Sequence, residues 1–167
     1  MVKPIDHGLA DRLYRFEVSA EFNQFYLKDE LAKGVVDWNE DECWNNFASD
    51  DGLISVGTNC DRIVPVEVYI LNSEPPLDLR PWDHLVECTI AVPSGCLLIG
   101  GCFDDCETAG RIELNRGTYI ARLCYGNQYC DDHVCCADYY VIKIWQSNDQ
   151  TSRVIKRRID ISYDLIS

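Results

Sequence analysis

The sequence predicts a mainly β fold, an antiparallel β-sandwich of about seven to nine strands with one short helix. Three observations predict it. Apolar residues recur at every second position in run after run, which is the side-chain period of a half-buried strand. The runs are short and are separated by turn residues such as "PSG" and "NRG". The chain has 167 residues, 47% of them hydrophobic, enough for one core and short for two. Many short strands and little helix leave sheet-on-sheet packing as the way to bury the apolar faces. No repeat, low-complexity tract or Pro/Gly/Ser linker divides the chain, so residues 1–167 read as a single domain.

Taken in order, "RFEVSAEF" places Phe16, Val18, Ala20 and Phe22 on one side, and "FYL" at 25–27 continues with the phase shifted, the mark of a bulge or turn. "DWNEDECWNNFASDDG" breaks the alternation. Asn39 is placed to cap a helix over about 40–48, and Glu40, Asp41 and Glu42 in its first turn complement the helix dipole. Trp44 and Phe47, three apart, would share a face, with "DDG" as the stop. "VPVEVYIL" sets Val64, Val66, Val68 and Ile70 against Pro65, Glu67, Tyr69 and Leu71. "LVECTIAV", a turn at "PSG" and "CLLIG" follow. "RIELNRGTYIARLCY" reads as a hairpin, with Ile112 and Leu114 before the turn and Tyr119, Ala121, Leu123 and Tyr125 after it. "DYYVIKIW" alternates Tyr140, Ile142 and Ile144 with Val141, Lys143 and Trp145, and "RVIKRRIDIS" in the charged extension 147–167 alternates weakly. Trp38, Trp44, Tyr119 and Trp145 are expected to be largely buried.

The formal net charge is −13, from 15 basic and 28 acidic residues. An acidic surface opposes binding to nucleic acid or an anionic membrane, because phosphate contacts need basic groups. It favours solubility and a basic partner. The bases cluster late, four of them in "RVIKRR". No apolar run approaches the roughly 18 residues of a membrane span. The opening "MVKPIDHGLADRLYRFEV" lacks a signal-peptide pattern, so the expected compartment is the cytoplasm, with most of the ten Cys reduced.

"CYGNQYCDDHVCCADYY", residues 124–140, admits three readings. As a zinc site it would draw on Cys124, Cys130 and Cys135, with Cys102 of "CFDDC" as the fourth ligand. The Cys-x5-Cys spacing and the adjacent Cys135 and Cys136 fit poorly, since structural zinc favours Cys-x2–4-Cys and neighbouring residues in an extended chain point to opposite faces. No metal and no cofactor is therefore expected. A disulfide belongs to an oxidising compartment. The third reading is an acidic loop between two strands. A hairpin connection of about a dozen residues exceeds the usual two to five, and loops of that length are commonly functional. Its tip carries Asp131, Asp132 and His133, and the loop at 100–111 carries Asp104, Asp105 and Glu107. These six are the candidate partner-binding residues.

Other chemistry is sparse. GxGxxG, Walker A, HExxH and GxSxG are absent. Of the three His, His7 lies in the terminal segment and His84 enters a strand as a structural residue. His133 and Cys135, two apart on a loop, lack an orienting third group. Trp38, Trp82 and Trp145 read as core or edge residues before a sugar-stacking platform.

The segments ending in "FYLKD", then "VVDWNEDECWNNFASDDGLISV", "VEVYILNSE", "ECTIAVPSGCLLIG", "RIELNRGTYIARLCY" and "ADYYVIKIW", taken in this order, resemble the competence protein J family, inhibitor of the bacterial DNA-entry nuclease. The sharpest matches are "DWNEDE" before the helix, "DGLISV" after it, and the turn at Leu114, Gly117 and Tyr119. The resemblance spans about residues 18–146. The ten Cys, the 124–138 connection and the charged tail depart from it. It implies a small acidic, non-catalytic antagonist that binds and silences a basic nuclease, or an immunity-type protein guarding against a nuclease toxin. Two alternatives stand beside it. A ligand- or sugar-binding sandwich would show aromatics lining one concave pocket. A metal-binding protein would use the two Cys-rich loops.

Overall fold

Two sheets face each other across one apolar layer in the computed structural model, which describes residues 5–6, 11–34, 36–129 and 137–158. In the larger sheet the order is β1 (Ile5–Asp6), β2 (Arg12–Ser19), β6 (Ile63–Leu71), β11 (Tyr139–Gln146), β10 (Gly117–Gly126), β7 (His84–Val92) and β12 (Ser152–Lys156). In the smaller it is β4 (Phe47–Asp50), β5 (Leu53–Gly57), β3 (Gln24–Asp29), β8 (Cys96–Gly100) and β9 (Gly110–Glu113). The sandwich is the one the alternation predicts, with more strands than seven to nine because short edge pieces, β1, β4, β9 and β12, complete the sheets. Neighbours are antiparallel except β6 and β11, which run parallel. The segment 72–83 makes this geometry possible by returning across the outer face of the larger sheet, where the Pro75 and Pro76 carbonyls accept from Arg122.

The period-two runs fill the core as expected. Val64, Val66, Val68 and Ile70 of β6, Leu123 and Tyr125 of β10, and Ile142 and Ile144 of β11 meet Phe25, Leu27, Ile54, Val56, Leu97 and Ile99 from the smaller sheet. On the outer face of the larger sheet, Arg122 and Glu87 form an ion pair at 3.1 Å, and the guanidinium lies 5.0 Å from the Trp145 ring centroid.

Four expectations are corrected. The "NRG" turn does not close a hairpin: β9 pairs with β8 in the smaller sheet, β10 with β7 and β11 in the larger. The turn carries the chain across the sandwich, and the Tyr119 hydroxyl secures it by donating to the Asn115 carbonyl at 2.5 Å. Alternation reports which side of a strand is apolar, and an inward face is the same for either sheet. Phe22 leaves the row of Phe16, Val18 and Ala20. The phase shift is a 3₁₀ turn, Glu21–Asn23, that moves the chain to the other sheet and exposes the Phe22 ring. The helix, α1 (Glu40–Asn45), ends earlier than 48. Asn39 caps it in a full capping box with Glu42, but Asn46 takes a left-handed conformation (φ 60°) and Phe47 already begins β4. Trp44 therefore does not share a face with buried Phe47. It is 58% exposed, while Tyr119 and Trp145 are buried as expected and Trp38 is half-buried.

Candidate partner-binding end of the sandwich

The Asp50–Asp51 turn lies at one end of the sandwich. The opposite end carries several of the acidic elements, together with Arg157 and Arg158, which bond to Trp44, Asn45 and Asn59. The 3₁₀ turn, α1, the 58–62 loop, the 101–109 loop and the described roots of the connection between β10 and β11 all lie there. Strand direction dictates this: Gln24 is opposite Gly57 in one sheet, and Tyr125 is opposite His84 and Tyr140 in the other. Backbone bonds lace the pieces together. Ala20 N–H donates to the Arg62 carbonyl at 2.9 Å, and Thr58 N–H to Asn23 at 2.8 Å. The hydroxyl of Tyr125, from the larger sheet, donates to the Asn46 carbonyl beyond α1 at 2.7 Å. Gly101 has no room for a side chain: a Cβ there would lie 2.0 Å from the Ser19 carbonyl oxygen. This close approach seats the 101–109 loop beside the 3₁₀ turn.

The roots of the long connection join a buried polar cluster. Tyr140 donates its hydroxyl to Asp138 Oδ2 at 2.5 Å and receives Asn59 N–H at 3.1 Å. Asn59 N–H also reaches Asp138 at 3.0 Å, and its side-chain amide donates to the Gln128 carbonyl at 2.8 Å. Asp131, Asp132 and His133 lie outside the described residues. The ends of their connection are nevertheless anchored on the same end of the sandwich as the 101–109 loop, a proximity that strand alternation alone does not specify.

Asp104 and Asp105 shape their loop. Asp104 Oδ2 accepts Gly101 N–H at 2.8 Å, and its carbonyl accepts the Tyr26 hydroxyl at 2.8 Å. Asp105 Oδ1 accepts the N–H groups of Glu107 and Thr108, both at 2.9 Å. Those backbone bonds hold the Asp105 carboxyl below its ordinary pKa. Burial, reinforced by the charges of Asp104 and Asp105, pushes the Tyr26 hydroxyl up to about 12. Glu107 is exposed. Around the same corner Glu21 and Asp61 both act on Cys102, whose thiol is raised first by burial and then by Glu21.

Sequence reasoning missed Phe22 and Phe103. Their rings are 68% and 76% exposed and meet at 6.1 Å between centroids, tilted by 55°. The available signals were the phase break in "AEFNQF" and an aromatic inside the turn-rich "GGCFDDC". Beside Phe22 a depression of about 390 Å³ is lined by Trp38, Cys43, Asn46, Gly57 and Thr58.

The alternatives fare as follows. Cys124, first of the candidate metal ligands, packs with Leu85 and Val141 under Tyr69 and Trp82, and burial pushes its thiol up to about 12. That disfavours the thiolate a zinc ion requires. Cys102 is exposed on the 101–109 loop, and Cys130 and Cys135 lie outside the described residues. Among the described residues no three metal-ligating side chains converge. Cys60 is disulfide-bonded, whereas Cys43, Cys88, Cys96, Cys102, Cys106 and Cys124 are free thiols. The tryptophans share no platform. Trp38 donates to Gln24 Oε1, Trp44 lies under Arg157, Trp82 meets Tyr139, and Trp145 lies under Arg122. His84 is structural, as expected, with Nδ1 accepting Arg158 N–H and Nε2–H donating to the Asn45 carbonyl.

No family model and no curated protein matches the sequence. Solved structures do match. ComJ from Bacillus subtilis, an inhibitor of the DNA-degrading activity of NucA, superposes with a TM-score of 0.61 at 18% identity, over 88% of this chain and 99% of that one. The product of crocagin biosynthetic gene J superposes with a TM-score of 0.59 at 13% identity, over 84% of this chain and 100% of that one. The fold is ComJ-like along nearly its whole length.

Proposed function

We propose that this protein is a nuclease inhibitor that acts by binding, and that it presents the α1 end of the sandwich to its target. The observation that carries the reading is the fold, shared nearly end to end with a nuclease inhibitor. The 101–109 loop and the described roots of the acidic 124–138 connection leave it from one end, which supports the choice of surface. A nuclease must be basic where it holds DNA phosphates, so an acidic protein competes for that surface. Opposed fields also speed association and help to exclude other partners. Exposed Glu107 and the Asp131, Asp132 and His133 tip supply contact charge in this reading, and Asp104 and Asp105 hold the loop that carries Glu107. The likeness to an inhibitor and the locked His84 both favour a non-catalytic role, including that of an immunity protein.

The test is direct. The immobilised protein captures its target from the native host, and the captured material is assayed for plasmid degradation as free protein is titrated in. Cleavage should stop at about equimolar ratio, as a tight one-to-one complex requires. Undiminished cleavage in large excess, or capture of no nuclease, rejects the proposal.

A further inference from the structure

We infer that Phe22 and Phe103 form the apolar anchor with which this protein grips a basic protein partner. The inference rests on the nuclease reading above and adds to it that the target carries an apolar depression bordered by basic side chains.

Single exposed apolar residues are ordinary on protein surfaces. Here two phenyl rings, from loops far apart in sequence, meet each other in solvent at 6.1 Å and are 68% and 76% exposed. Phe22 is also held in the left-handed region, φ 59° and ψ 28°, a conformation that bulky side chains rarely adopt and that Asn or Gly adopts readily. The turn does not depend on the ring. Asn23 bonds the carbonyls of Thr58 and Asn59 through its side chain, and Ser19 donates its hydroxyl to Glu21. The fold thus carries a disfavoured backbone that directs a phenyl ring into water.

The surroundings identify the occupant. Glu21 and Asp61 flank Cys102 next to Phe103, and Asp104, Asp105 and Glu107 continue the same loop. An aromatic pair inside a charged rim is the anatomy of a binding hot spot. A second copy of this chain would bring a like-charged rim against this one, at a net charge of −13 per chain. A basic surface would be attracted instead. The depression between Phe22 and Trp38 leaves room for a side chain of the partner to enter in return.

The test compares the unaltered protein with the double variant Phe22→Asn, Phe103→Ser. The probe is the captured nuclease, purified and immobilised. Asn suits the left-handed position, so the thermal midpoint should hold or rise. Affinity should fall by about 30-fold or more, mainly through faster dissociation, as truncating a hot spot does. Glu107→Gln should instead slow association and flatten its salt dependence while leaving dissociation unchanged. If the double variant binds within about threefold of the unaltered protein, the anchor assignment is wrong and the nuclease reading stands. If the unaltered protein inhibits no nuclease, the parent reading falls and the anchor with it. If sedimentation shows dimers of the unaltered protein that the double variant abolishes, a second copy occupies the patch and the inference is overturned.

Discussion

Acidification should loosen the α1 end of the sandwich, and His84 is a group through which it acts. The imidazole is 1% exposed. Its Nδ1 accepts the backbone N–H of Arg158, its Nε2–H donates to the Asn45 carbonyl at the end of α1, and its ring lies 4.8 Å from that of Tyr125. Burial, with Arg157 and Arg158 adding positive charge, lowers its pKa from 6.5 to about 4, against a smaller opposing contribution from the Asn45 bond. A proton on Nδ1 would face the Arg158 N–H, donor against donor. Because the folded pKa is depressed, the unfolded chain binds the proton first as pH falls. The stability from neutral His84 is complete above about pH 6.5 and is lost progressively down to about pH 4. At 1.36 kcal/mol per pH unit, the loss between about pH 8 and about pH 4.5 comes to about 2.5 kcal/mol. Urea denaturation at a series of pH values measures it. Carboxylates also titrate toward the bottom of this range, so the unaltered protein is compared with His84→Gln, which cannot gain the proton. The variant should be less stable at pH 8, and its stability should fall less steeply on acidification. Parallel stability–pH curves for the two proteins would refute the argument.

Three further outcomes follow from the same structure. Tyr140→Phe leaves the buried Asp138 carboxylate without the hydroxyl that donates to it at 2.5 Å, and should lower stability by about 1–3 kcal/mol in urea melts with an unchanged m-value. Brief treatment of the folded protein with iodoacetamide, read by peptide mass, should label exposed Cys43, Cys102 and Cys106 and spare Cys88 and Cys124, whose thiols burial pushes up to about 12. Trp44→Ala should cost less than about 1 kcal/mol, the scale of an exposed cation–π contact such as that with Arg157, and a loss of several kcal/mol in the denaturation midpoint would mean that the ring is buried after all.

Much of the architecture was legible without coordinates, because side-chain alternation and helix caps are local. Val64 to Ile70, Tyr119 to Tyr125 and Tyr140 to Ile144 point inward as their period requires, and Asn39 with Glu42 makes the capping box at the start of α1. The acidic balance and the two acidic loops were also legible, since charge and turn residues are read directly from composition. The sheet to which each strand belongs was not legible. "PSG" and "NRG" announce turns, yet both carry the chain across the sandwich, because an inward-facing strand buries its apolar side equally well in either sheet. Nor was the helix boundary, which depends on Asn46 taking a left-handed φ, or the exposure of Trp44, which follows from that boundary. Sequence by itself thus determined a mainly β, acidic chain with its core positions and its charged loops. Tertiary structure alone decided that the 101–109 loop and the roots of the 124–138 connection share one end, that Asp104 and Asp105 hold a loop together, and that Phe22 and Phe103 meet in solvent. Each of these depends on contacts between residues distant along the chain, which local periodicity does not encode.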